Sequence, residues 1–150
     1  MIRDDIKAAQ IAAMKAGDKE SRHAIGLIQA AIKNRDIEER TKAQPTDDDT
    51  LVVEVLQKMV KQRRESIALY EQGGRRELAE AEAAEVAVIE DFLPRQMSEA
   101  ETASAIAAIK GEIGAAGMKD MGRLMAELKK RHGSELDMAK ASGLVKAALA

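Results

Sequence analysis

The chain has 150 residues, 45% of them hydrophobic and 33% charged, with a formal net charge of −2. That balance supports a packed core and argues against both a disordered chain and a generic polyanion binder. There is no cysteine and almost no aromatic side chain (Tyr70, Phe92, no Trp). Disulfides and thiolate-bound metals are therefore excluded, and the core must be built from Ala, Leu, Ile, Val and Met, most of which favour helix.

The first helix is predicted from about Ile2 to Ala16, with Asp4 and Asp5 in its first turn and Gly17 as its stop. Asp18 can cap a second helix that carries Ala24, Ile25, Ile28, Ala31 and Ile32 at helical spacing. The pattern breaks at Thr41-Lys42-Ala43-Gln44-Pro45. Thr46 then caps a long third helix, opened by Asp47, Asp48 and Asp49 and ended at Gly73-Gly74. A fourth helix runs from about Arg76 to Phe92 and stops before Pro94. Ser98-Glu99-Ala100-Glu101 is a capping box for the fifth, which Gly114 and Gly117 close. The sixth covers about Lys119 to Arg131, and the seventh starts near Asp137. The expected fold is all-α: an N-terminal four-helix bundle over residues 1–93, then a small three-helix subdomain over 94–150, divided at Pro94. No run of 18 apolar residues is present and the N-terminus has no signal core, so a cytoplasmic protein without a membrane span is expected.

Three charges fall on apolar faces. At about 100° per residue, Arg63 points into the Leu51–Tyr70 face of the third helix, and Glu82 and Glu85 fall among Leu78, Val86, Ile89 and Leu93 on the fourth. Two helices joined by Gly73-Gly74 pack antiparallel, which sets Arg63 level with both glutamates. A partly buried Arg63–Glu82–Glu85 network follows, either a clasp that fixes helix register or a ligand site. On the sixth helix Met118, Met121, Leu124, Met125 and Leu128 form an apolar stripe, while Lys119, Arg123 and Lys130 project oppositely, flanked by Lys129 and Arg131. Residues 94–150 carry 9 basic and 7 acidic side chains, against 15 and 19 in residues 1–93. This basic ridge is either an ordinary solvated face or a contact for two or three phosphates. His23 and His132 have no ligand spacing, and the serines read as caps or surface positions, so neither a metal, a cofactor nor a catalytic residue is expected.

The stretch Lys61-Gln62-Arg63-Arg64-Glu65-Ser66, Tyr70, Gly73-Gly74-Arg75, Leu78-Ala79, Glu82, Glu85 and Leu93-Pro94 resembles the signature of the GatB/YqeY family. Ala13-Met14-Lys15-Ala16 with Asp18, and Ala30-Ala31-Ile32-Lys33-Asn34 with Ile37-Glu38, fit the same pattern, as does Asp120-Met121-Gly122-Arg123-Leu124-Met125. The resemblance implies an all-helical fold with a helical bundle and a three-helix tail. It also implies kinship with the C-terminal part of the B subunit of glutamine-dependent Glu/Asp tRNA amidotransferase, whose tail contacts tRNA while the chemistry occurs elsewhere. The expected partner is therefore tRNA or a tRNA-charging or amidotransferase complex, met through Lys119, Arg123, Lys129, Lys130 and Arg131. A protein–protein adaptor without RNA contact and a carbon–nitrogen ligase using glutamine as amido donor stay open as alternatives.

Overall fold

A computed structural model describes residues 1–150 as seven α-helices without a strand. They are α1 (Ile2–Ala16), α2 (Lys19–Glu39), α3 (Asp48–Gln72), α4 (Arg76–Glu90), α5 (Glu99–Ile113), α6 (Met121–His132) and α7 (Met138–Leu149). The chain divides into two compact units, Met1–Leu93 and Pro94–Ala150.

Short polar side chains start most of these helices by taking up N–H groups that the first turn leaves unbonded. Asp18 accepts from Ser21 N–H, Ser98 from Glu101 N–H, and Asp137 from Ala139 and Lys140 N–H. For α3 the cap is Asp47, which accepts from Thr50 N–H. The expectation of Thr46 is corrected. Two good capping residues stand side by side there, and Thr46 instead lies beside the buried Glu39 carboxylate. Glycines in the left-handed region end three of the helical runs. Gly17 (φ 69°), Gly74 (φ 71°) and Gly114 (φ 66°) carry the positive φ, a conformation that a Cβ makes costly. After α3 the Gly74 and Arg75 amides donate back to Glu71 and Tyr70 carbonyls, a Schellman turn that sends the chain into α4.

In the first unit α2 touches α1, α3 and α4, and α3 packs most extensively on α4. The core is aliphatic, with Ile6, Ile28, Val52, Leu56 and Ile89 among its most buried members. Each such side chain contributes roughly 1.5–3 kcal/mol by leaving water. In the second unit α5, α6 and α7 pack pairwise around Ile106, Ile109, Leu124, Leu128, Leu136 and Val145.

Three positions depart from the sequence reading. Leu78 is 44% exposed while Ala79 beside it is buried, so α4 turns its small residue, not its leucine, inward near the hairpin tip. Met118 is also exposed, because residues Met118–Asp120 form a 3-10 turn ahead of α6 and leave the stripe that Leu124 and Leu128 anchor. Finally α4 ends at Glu90, and Phe92 packs on the core from the turn that follows.

Candidate nucleic-acid interface

The geometry of the α6 region begins with Asp120. Its amide donates to the Gly117 carbonyl at 2.9 Å, and its carboxylate accepts the Ala116 amide at 3.0 Å and the Arg123 guanidinium at 3.3 Å. The Ala116 amide, ahead of Arg123 in effect, holds the Asp120 carboxyl below the usual aspartate range. The turn is thus closed by one side chain, and α6 starts immediately after it. Leu124 and Leu128, four residues apart, are fully buried, with Met121 and Met125 half-buried around them. That seating leaves Arg123, Lys129, Lys130 and Arg131 exposed, and Lys119 is exposed on the preceding turn. The last turn, Lys129 to His132, is basic, which suits the negative end of the helix dipole.

The five predicted cations are not equivalent. Arg123 is paired with Asp120, and Arg131 is held twice: Nη2 lies 2.7 Å from Glu112 on α5, and Nε lies 2.9 Å from Glu127. Glu112 first, then Glu127, raises the Arg131 pKa. Lys119, Lys129 and Lys130 enter no ion pair. Lys119 also belongs to the 3-10 turn and not to α6, so the helical angles that set it beside Arg123 and Lys130 do not apply to it.

The other predicted cluster is on the first unit. Arg63 on α3 ion-pairs with Glu85 on α4, both mostly buried at 18% and 24% exposure. His23 Nε2 lies 4.0 Å from the same glutamate. Glu82 is not bonded to Arg63, and its Oε2 is buried without a hydrogen-bond partner. A second pair, Arg64–Glu90 at 2.5 Å, ties the same two helices at the surface.

Sequence reasoning missed two further networks. Arg3 forks between Asp36 on α2 (3.0 Å) and Asp48 on α3 (2.8 Å), while Asp49 accepts the Ile2 amide. The three consecutive aspartates thus have separate roles: cap, ion pair and helix tie. Arg35 bridges Glu54 (2.8 Å) and the buried Glu39 (3.6 Å), which also meets Lys42 at 3.0 Å. Thr46 foremost, then Lys42, keeps the Glu39 carboxyl below the usual range. Only the Arg35–Glu39 and Glu39–Lys42 pairs, four and three residues apart, were visible locally; the other partners meet through tertiary packing. A shallow groove of about 280 Å³ beside Arg3, over Ile6 and Ile32, runs between Lys7 on α1 and Lys33 on α2. No group of three or more His, Asp or Glu converges to hold a metal ion, and no helix is long and apolar enough to cross a membrane.

The chain is all-helical, in two compact units, and the second carries a helix with a basic last turn. The sequence matches the family described as Yqey-like protein over residues 3–149, nearly the whole chain. The chain belongs to the YqeY-like family, the family of the GatB C-terminal-like domain. Among curated proteins none matches it significantly.

Proposed function

We propose that this protein is a tRNA-associated helical module that does not carry out the amidotransferase chemistry itself. The supporting observation is the pair of exposed, unpaired ammonium groups Lys129 and Lys130 in the only wholly basic last turn, with the exposed Lys119, next to Asp120, on the turn that precedes the same helix. Ammonium groups that meet no carboxylate are available to phosphate oxygens, and binding of that kind is strongest at low salt because it releases counterions. The kinship of the family with a GatB-like domain points to tRNA as the polyanion. In this reading residues 1–93 are a four-helix bundle, residues 94–150 are a three-helix tail that meets RNA, and the protein works in the cytoplasm beside tRNA charging. Lys119, Arg123, Lys129, Lys130 and Arg131 all belong to the tail's basic face. Titrating the purified protein with unfractionated tRNA across a salt series tests the reading: affinity falling steeply with salt supports it, and no binding at low salt rejects it.

One observation favours a second reading, a protein–protein adaptor. Near the α3–α4 turn Leu69 and Leu78 are 68% and 44% exposed, beside the unpaired Arg75 and Arg76, and exposed apolar groups with arginines are common in protein interfaces. Recovery of the same partner from RNase-treated and untreated extracts would favour the adaptor; a partner lost on RNase treatment would favour tRNA. A stand-alone carbon–nitrogen ligase would reveal itself by product formed from misacylated tRNA and glutamine with this protein alone.

A further inference from the structure

We propose that Arg131 is a latent phosphate-binding residue of the basic face, held in reserve by Glu112 and Glu127. The inference deepens the RNA reading and rests on it. Nε and Nη2 form the side edge of a guanidinium, the edge that grips a phosphate or carboxylate through two parallel hydrogen bonds. In Arg131 that edge is fully occupied, Nε by Glu127 at 2.9 Å and Nη2 by Glu112 at 2.7 Å. The two carboxylates come from different helices, α6 and α5, and both are reachable from solvent, at 29% and 55% exposure. Around Arg131 the three groups sum to one negative charge, directly beside Lys129 and Lys130, which have no carboxylate partner. A phosphate that approaches the end of α6 therefore meets two free ammonium groups and one arginine whose gripping edge is taken. Glu112 and Glu127 act as an internal competitor for the polyanion and set the affinity of the tail below what its positive charges allow.

The test is a double-mutant cycle on the full chain, with unfractionated tRNA as the probe and binding read by fluorescence anisotropy over a salt series. Circular dichroism on each variant checks that the helices persist. Arg131→Gln in the parent should change affinity by less than about twofold, because its gripping edge is not offered to RNA. Glu112→Gln with Glu127→Gln should tighten binding about fivefold near 0.1 M salt and steepen the log–log salt slope by roughly 0.7–0.9, the increment for one new phosphate contact. Adding Arg131→Gln to that background should remove the gain, a non-additivity that only a coupled group gives. Lys129→Gln with Lys130→Gln should weaken binding in both backgrounds. The inference is overturned if Arg131→Gln weakens the parent as strongly as Lys130→Gln. It is equally overturned if the gain from the two glutamine substitutions survives loss of Arg131, which would make it diffuse electrostatics. In both of those outcomes the RNA reading stands. If neither parent nor variants bind tRNA, the RNA reading itself falls and this inference with it.

Discussion

A buried charge is tolerable when its partner comes with it, and Arg63 and Glu85 illustrate the rule across the α3–α4 seam. Arg63→Ala strands a mostly buried glutamate and should lower unfolding stability by about 2 kcal/mol, below the roughly 3–5 kcal/mol of a fully buried pair because both side chains keep some solvent contact. Arg63→Met with Glu85→Leu removes both charges and should be clearly milder. Glu82 is a different case. Its buried oxygen has no partner, so Glu82→Met gives up no bond and should be neutral or stabilising by up to about 1 kcal/mol. Urea denaturation of the three variants decides the matter; a loss at Glu82→Met equal to that at Arg63→Ala would place Glu82 inside the ion pair. The sequence could put all three residues at one level of the hairpin, since level follows from counting out from Gly73-Gly74. It could not decide which glutamate the guanidinium selects, because that depends on rotamers and on how α2 covers α4. The same limit applies to Arg131: Glu127 was readable at a spacing of four, but Glu112 lies on another helix and meets it only once α5 and α6 pack.

At the level of elements, signals that act within four residues were the legible ones. Asp18, Ser98 and Asp137 as caps, and Gly17 and Gly114 as stops, are local arrangements of donors, acceptors and backbone angle, and each stands where the residue chemistry puts it. The α3 start was harder because Thr46 and Asp47 both have capping side chains. Asp47→Ala should cost about 1 kcal/mol through the lost cap, and Thr46→Ala should change the start of α3 little. Gly74 makes the turn into α4 at φ 71° with open space around it, so Gly74→Ala pays only backbone strain, about 1–2 kcal/mol. Thermal melts with two-state fits check both values. Gly74→Ala without effect would mean that the turn relaxes to another conformation. The start of α6 was misread for a related reason. Gly117-Met118-Lys119-Asp120 has helical composition, but Asp120 bonds back to the Ala116 amide and tightens the entry into a 3-10 turn.

For the molecule as a whole, the balance of helix formers against strand formers was enough to read an all-α chain, and the chain is entirely helical apart from turns and loops. Which cations of each unit are free was less legible, because whole-chain charge hides which of them are already paired. Acid sensitivity follows from the paired carboxylates. Asp18, Glu39, Glu101 and Asp120 all bind their protons less tightly when folded, held chiefly by Ser21, Thr46, Arg95 and the Ala116 amide. The unfolded chain then takes up more protons than the folded one as pH falls. Stability should be level above about pH 5, where both forms are ionised, and decline through the unfolded carboxyl range near pH 4 and below. Chemical denaturation at pH 7, 5 and 3 checks the sign, and stability rising toward pH 3 would contradict it.

The central claim is that RNA is met by the unpaired ammonium groups around α6. The decisive comparison is tRNA affinity as a function of salt for the parent, for Lys119→Gln/Lys129→Gln/Lys130→Gln, and for Arg22→Gln/Lys33→Gln on α2 as a charge control. None of the three lysines is buried or paired, so the triple change should leave folding intact. We predict a marked loss of affinity at low salt, a log–log slope shallower by about 2–3, one unit or slightly less per lost phosphate contact, and equal effects on different tRNAs. The α2 control should lose little and keep the parent slope. Equal losses in the two variants, or an unchanged slope in the lysine triple, would contradict the claim.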